Sequence, residues 1–227
     1  MKEIKLEKNE TVDELMIDGY KIVQNDTLYR FTSDSVLLTR FAKAKRGDVV
    51  ADFCSGSGIV AFHFFALNQD KNLTFTLVEM QKSLADLSKK TIALNGFQAF
   101  EVVNKKVQEL GNEYVGKFSL ILCNPPYERG GAENQIYEKA VCRKEITITL
   151  GELSKAVSKA LKYGGRFCMV HRADRLAEIC YTLKCDGLEV KRIQFISGKE
   201  GDTPYLVLVE AVKGGKPCTK LEQTLIN

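Results

Sequence analysis

From Asp48 onward, apolar runs of strand length alternate with apolar residues at helical spacing. Val49-Val50-Ala51-Asp52-Phe53 predicts a strand and Ile59 to Leu67 a helix. Leu73 to Glu79 predicts the next strand, and Ser83 to Leu94 a helix closed near Asn95-Gly96. Short apolar runs at Glu101 to Val103 and Phe118 to Cys123 add two more strands. Gly151 to Leu161 reads as a helix ended by Gly164-Gly165, followed by a strand at Arg166 to Val170 and a helix at Arg172 to Leu183. Leu188 to Phe195 and Tyr205 to Val212 finish the pattern as an antiparallel pair. This alternation predicts an α/β fold: a mostly parallel, seven-stranded sheet with helices on both faces. The segment before it differs. Its first ~30 residues lean to short strands turning at Asp18-Gly19 and Asn25-Asp26. Val36, Leu37, Leu38, Phe41 and Ala42 then suit a short helix capped at Ser33 or Asp34.

The strand Phe118 to Cys123 runs directly into Asn124-Pro125-Pro126-Tyr127. Each proline lacks a backbone N–H and biases its predecessor away from helix, so the chain stops there in a rigid turn. In open α/β sheets the C-terminal edge of the strands is where ligands bind. The side-chain oxygen of Asn124 and the carbonyl of Pro125 together suit the two protons of a planar amino group, and Tyr127 suits stacking on the ring that carries it. The bland alternative is a turn that merely ends a strand.

A second candidate is Asp52-Phe53-Cys54-Ser55-Gly56-Ser57-Gly58, between the first core strand and its helix. Glycines let a ligand approach the backbone, and the helix N-terminus offers free N–H groups. Glu79 ends the next strand, where an acid can hold ribose hydroxyls. A nicotinamide dehydrogenase shares this logic. It would want a third glycine, however, and gives no reason for Asn124 to Tyr127. An ordinary βα turn and an exposed strand-end acid are the structural alternatives for the loop and for Glu79.

Composition narrows the class without naming it. The 227 residues are 44% apolar and 27% charged, which is ordinary for a globular domain. No apolar run approaches the roughly 20 residues that span a bilayer, and the N-terminus lacks a signal-peptide core. A cytoplasmic protein with no membrane partner is expected. Seven cysteines with no C-x-x-C pair, and only two histidines, read as reduced structural thiols, with no metal expected. His171 reads as structural. The formal charge of +4 is compatible with a phosphate-bearing partner.

Taken together, these motifs resemble the class I S-adenosylmethionine-dependent methyltransferases, with a Rossmann-like sheet, over nearly the whole chain. Lys21 to Asn25, Tyr29 to Leu38, Asn124 to Tyr127 and Val170 to Glu178 are similar to bacterial tRNA1(Val) (adenine-N6)-methyltransferases. The resemblance implies S-adenosyl-L-methionine as cofactor, RNA, most specifically tRNA, as partner, and methylation of the adenosine next to the anticodon of a valine tRNA. It implies an N-terminal extension over residues 1–45, a methyltransferase domain over 46–227, and a monomer. Carried over by position, Asp52, Ser55, Gly56 and Gly58 would hold the methionine moiety, Glu79 the ribose, and Met80 the adenine. Phe31, Thr32 and Asp34 would close the pocket from the front. Asn124 and Pro125 would bind the target amino group, Tyr127 would stack on the flipped base, and Arg143 and Lys144 would contact the substrate. Lys106 stands where relatives often carry an adenine-binding Asp, which leaves backbone groups near Val107 for that contact. Glu128 to Asn134 is polar and glycine-rich and reads as a loop over the substrate face. The motif also occurs in methyltransferases acting on DNA adenine and on release-factor glutamine, and a close variant serves guanine amino groups of ribosomal RNA. A non-catalytic RNA-binding scaffold on the same fold is the other alternative.

Overall fold

The computed structural model describes residues 4–15, 17–28, 33–127 and 148–227. Five parallel strands form the centre: β3 (Val49–Phe53), β4 (Thr74–Val78), β5 (Phe100–Val103), β6 (Phe118–Cys123) and β7 (Leu161–Arg172). β9 (Leu206–Lys213) runs antiparallel between β7 and β8 (Leu188–Ser197). The core order is therefore β5-β4-β3-β6-β7-β9-β8. Two short C-terminal strands not anticipated from sequence, β10 (Lys220–Leu221) and β11 (Leu225–Ile226), pair with β8 and extend the sheet to nine. Each is two residues long and exposed, too short to leave an apolar pattern in the chain.

All six residues of β6 are buried, and the strand divides the two sides of the core. Leu120 and Leu122 face the cluster of Leu38, Phe41, Phe62 and Leu77, contributed by α1 (Ser33–Phe41), α2 (Ile59–Ala66) and β4. Ile121 and Cys123 face Leu153, Val157, Ile179 and Leu183 of α4 (Leu150–Ala160) and α5 (Leu176–Cys185). A strand covered on both faces shows a continuous apolar run, which is why β6 was legible as buried.

One predicted boundary is corrected. Gly164-Gly165 does not end α4; the helix stops at Ala160, and both glycines lie inside β7. Leu161 pairs with Phe118 and Arg166 with Leu120, so the intervening residues of β7 bulge from the ladder. Gly164 has φ +74°, and a Cβ on Gly165 would lie 2.8 Å from the carbonyl oxygen of Lys162. Glycine serves a bulge here rather than a helix stop.

The N-terminal hairpin of β1 (Glu10–Glu14) and β2 (Lys21–Asn25) turns with Asp18 and Gly19 both at positive φ, as the Asp-Gly signal implied. It docks on α3 (Lys82–Asn95). Thr91 Oγ1 accepts from Val23 N at 3.0 Å, while Asn95 accepts from Lys21 N at 3.0 Å and donates to its carbonyl at 2.7 Å. Helix side chains thereby satisfy a strand edge that would otherwise be buried without partners. Val23, Leu28, Leu84, Leu87 and Leu94 form the apolar contact beneath.

Gly58, which caps α2, has φ +87°, and an added Cβ would lie 2.5 Å from Phe62 Cε2 and 2.7 Å from Leu77 Cδ2, both on fully buried side chains. Gly58→Ala combines left-handed strain with overpacking, and a loss of about 2–4 kcal/mol is expected. Urea unfolding with an unchanged m-value would measure it; a loss below ~1 kcal/mol would show that the loop relaxes around the methyl.

Candidate active site

The strand order reverses direction between β3 and β6: β3, β4 and β5 succeed one another to one side, and β6 returns to the other side of β3. The crevice at such a switch point is where ligands of doubly wound sheets bind. Here Phe53 pairs in register with Cys123, so the loop leaving β3 and the turn leaving β6 emerge side by side. A cleft of about 740 Å³, counting its open mouth, lies over this edge. Ser55, Gly56, Glu79, Met80, Val107 and Asn124, six of the residues expected at a cofactor site, line it together.

The loop after β3 is held by backbone bonds and backbone strain. Cys54 and Gly56 have φ +58° and +56°; for the cysteine this is a left-handed conformation that costs about 1–2 kcal/mol. Ser55 N donates to Val78 O at 3.1 Å, and Gly58 N to Ser55 O at 2.8 Å. Gly56 has open space where a side chain would project. Its N–H donates to Glu79 Oε2 at 2.9 Å, and Gln81 N donates to Glu79 Oε1 at 2.8 Å. Asn104 Nδ2 donates to the carbonyls of Glu79 and Met80 at 2.8 and 3.0 Å, fixing this wall from behind. Glu79 is only 5% exposed and is no free strand-end acid. Burial raises its pKa, opposed by the backbone donors at Gln81, Gly56 and Met80.

Asp52 and Gly58 do not reach the cleft wall. Asp52 stands one layer behind, fully buried, with Oδ2 accepting from Ala61 N at 3.1 Å. Because Gly58 caps α2 without a side chain, this carboxylate satisfies one of the helix's orphan N–H groups from the strand. Its other oxygen, Oδ1, and the buried Oγ of Ser55 have no hydrogen-bond partner among the described residues. Buried polar atoms without partners are rare in native proteins. The Ser55 hydroxyl, at the cleft wall, fits a site whose remaining donors and acceptors come with a ligand. Burial, with the nearby Glu79 charge adding to it, raises the Asp52 pKa well above the ordinary range.

At the other wall, Asn124 Nδ2 donates to Ser35 Oγ at 3.0 Å. The amide nitrogen is thus turned to Ser35, which also lines the cleft, and Oδ1 is not used in that contact. Pro125 is buried beside it, and Pro126 lines the cleft. Tyr127 is half-buried and outside the cleft lining; its hydroxyl donates to the Asp34 carboxylate, and its ring lies 5.4 Å from that of His171, inclined by 47°. Asp34 therefore contacts the Asn-Pro-Pro-Tyr turn rather than the cleft wall. His171 is buried, and its Nδ1 accepts from Arg172 N at 2.9 Å.

Ser35, Gln81 and Gln108 line the cleft and were not anticipated. Ser35 adjoins Asp34 in the recognised front segment; the two glutamines carry no pattern of their own. Lys105 and Lys106 also line it, at the end where an adenine-binding acid was missing, and the carboxamide of Gln108 brings an acceptor to the same wall. The readings for Phe31, Thr32, Arg143, Lys144 and the loop from Glu128 to Asn134 lie outside the described residues.

Residues 32–179 match the family model described as "Methyltransferase small domain". The chain belongs to that family. As a methyltransferase of this family it uses S-adenosyl-L-methionine as cofactor. It is similar to a tRNA1(Val) (adenine(37)-N6)-methyltransferase of Shewanella putrefaciens, with 26% identity over 78% of this chain and 74% of that one. A protein of the same description from Bacteroides thetaiotaomicron is 25% identical over 84% of this chain and 79% of its own length. Among solved structures, one from Agrobacterium tumefaciens described as a "predicted O-methyltransferase" has a TM-score of 0.67 at 20% identity, covering 85% of this chain and 86% of that one. That likeness establishes the class I methyltransferase fold. Among the described residues no helix is long and apolar enough to cross a membrane.

The raised Asp52 pKa has a stability consequence with a definite sign. An acid that holds its proton more tightly when folded adds stability that is present at low pH and lost as pH rises above its unfolded value, near 3.8. Asp52→Asn removes that loss while keeping an oxygen for Ala61 N. Its Tm relative to the wild type is expected to climb with pH from about 4 upward, by roughly 3–5 °C per pH unit until the folded-state pKa is passed. Thermal melts from pH 4 to 8 check this; a constant offset would show that Asp52 ionises normally.

Proposed function

We propose that this methyltransferase transfers a methyl group to the exocyclic amino group of adenine in RNA, and that its substrate is the adenosine next to the anticodon of a valine tRNA. The observation that carries the reaction class is the Asn124–Ser35 hydrogen bond, which leaves Asn124 Oδ1 as an acceptor at the cleft wall beside the cofactor loop. The choice of adenine in tRNA is supported by the descriptions of the relatives.

An aromatic amino nitrogen is a poor nucleophile because its lone pair is delocalised into the ring. With Asn124 Oδ1 and the Pro125 carbonyl accepting its two protons, the nitrogen is drawn toward tetrahedral geometry and its lone pair is freed. S-adenosyl-L-methionine supplies the electrophilic methyl group. Positioning and preorganised acceptors then provide most of the acceleration, and no general base need act before attack. This suits a turn whose nearby histidine is buried and uses Nδ1 on the Arg172 amide. The amino proton can leave to water afterwards.

For the cofactor, Ser55 and the open face of Gly56 would meet the methionine portion. Glu79, whose carboxyl group is oriented by backbone N–H groups, would take the ribose hydroxyls. Met80 and the chain at Val107 would flank the adenine. A base must leave its stack to reach this edge, and Tyr127 would offset part of that cost, base–aromatic stacking being worth about 1–3 kcal/mol. The segment 1–45 acts in this reading as an extension that closes one wall of the 46–227 domain, through Ser35.

The test is methyl transfer from labelled S-adenosyl-L-methionine to undermodified total tRNA, followed by nucleoside analysis. N6-methyladenosine is expected, and Asn124→Ala should lower its formation roughly 10²–10³-fold at saturating cofactor, the size of effect found for removing one preorganised transition-state hydrogen bond. Near-normal turnover by Asn124→Ala would overturn the mechanism. Labelling of DNA or of a glutamine peptide in place of tRNA would keep the acceptor pair and overturn the substrate.

A further inference from the structure

Helix α1 touches both ends of the Asn-Pro-Pro-Tyr turn with consecutive residues. Ser35 Oγ accepts from Asn124 Nδ2 at 3.0 Å, and the Asp34 carboxylate accepts from the Tyr127 hydroxyl. Neighbouring residues on a helix project about 100° apart, so one short helix can reach two side chains three positions apart on the turn. We propose that α1 is a two-point latch on this turn: Ser35 is the positioning residue that holds the Asn124 carboxamide with its oxygen toward the substrate, and Asp34 is the positioning residue that anchors Tyr127.

The need for such a latch follows from the shape of a carboxamide. Its oxygen and nitrogen ends are nearly the same size, so packing alone barely distinguishes one orientation from the one rotated by 180°. The two are opposite in chemistry. A substrate amino group brings two donors, and a rotated Asn124 would meet it with a third. A partner on the nitrogen side holds the productive orientation before substrate arrives, and Ser35 is that partner. Tyr127 presents a similar problem, since a half-buried ring can turn about two bonds. Its hydroxyl on Asp34 and its ring against His171 restrain both.

A latch works only if its base is rigid, and α1 is clamped at its other end. Leu37, Leu38 and Phe41 are buried in the core. Phe41 O accepts from Arg192 Nη2 at 2.7 Å, and the same guanidinium lies 4.1 Å from the Phe41 ring centre. Thr39 Oγ1 donates to Val36 O at 2.8 Å and, its one proton so used, accepts from His63 Nδ1, also at 2.8 Å. The helix is thereby tied to α2 and to β8, neither of which contributes to the Asn-Pro-Pro-Tyr turn.

This inference rests on the amino-methyltransferase reading for its kinetic consequence, but its geometry can be tested without substrate. In the free protein, the side-chain NH₂ signals of Asn124, assigned by their loss in Asn124→Asp, should shift and exchange faster with water in Ser35→Ala, and return toward wild type in Ser35→Thr. In transfer assays Ser35→Ala should lower kcat 10–100-fold with the KM for S-adenosyl-L-methionine within about twofold, a modest misplacement of a reacting group being worth up to 10². Ser35→Thr should recover most of the loss. Asp34→Ala and Tyr127→Phe should each impair turnover to a similar degree, and the double variant no further than either alone, as for two groups that act through one contact. Unchanged NH₂ signals or unchanged kcat in Ser35→Ala would overturn the Ser35 part; additive losses in the double variant would overturn the Asp34 part. A drop in cofactor affinity equal to the drop in kcat would show a general disturbance of the cleft and would also overturn the proposal. If the wild type methylates no RNA amino group while the NH₂ signals respond as expected, the function reading fails and the latch geometry stands.

Discussion

The site depends on one strand pairing, the parallel ladder of β3 with β6. Asp52 lies opposite Leu122 and Phe53 opposite Cys123, so two segments about 70 residues apart leave the sheet at the same edge. Strands in a ladder are about 4.8 Å apart, which places the glycine-rich loop and the Asn-Pro-Pro turn within one small molecule's reach. The register is protected by burial on both faces. Sliding β6 by one residue would send Leu120 and Leu122 to the α4–α5 side and Ile121 and Cys123 to the α1–α2 side.

The loop above that pairing is built against its own stability. It holds a non-glycine residue at φ +58° and a buried serine hydroxyl that has no partner among the described residues, and it follows a strand whose Asp52 is fully buried with one oxygen likewise unpartnered. Each is a cost that a purely structural βα turn could avoid. A strained backbone and an unmatched hydroxyl at the cleft wall are the pattern expected where a ligand supplies the missing partner, because low-dielectric surroundings make an unmatched polar group expensive and a matched one strong. The acids are divided by environment. Asp52 serves the α2 N-terminus from behind, Glu79 is tied to backbone N–H groups at the cleft wall, and Asp34 faces Tyr127 on the far side of the turn.

The N-terminal segment is structurally joined to the sheet rather than appended to it. β2 lays its edge on Thr91 and Asn95 of α3, and Lys90 of the same helix pairs with Glu10 at 2.7 Å. α1 then crosses to the Asn-Pro-Pro-Tyr turn. Residues that precede the glycine-rich loop in sequence thus complete the wall opposite it.

What the chain determined by itself was local. Period-two and continuous apolar runs marked the seven core strands, since burial on one or two faces leaves a direct pattern in hydrophobicity. Pro125-Pro126 announced the end of β6, and Gly56 and Gly58 marked a tight loop, because proline and glycine restrict or permit backbone geometry wherever they stand. Tertiary structure decided which of these features share a site and which way their atoms point. Gly58 and Asp52 look like cofactor residues in the motif, yet one packs against Phe62 and Leu77 and the other caps α2, since only the packed helix defines those neighbours. Gly164-Gly165 read as a helix stop and proved to be a bulge, a distinction made by β6 and not by local sequence. Ser35, 89 positions from Asn124, had no sequence signal as its partner. A hydrogen bond between distant residues has no period and no fixed spacing; it exists only once the fold has brought its donor and acceptor together.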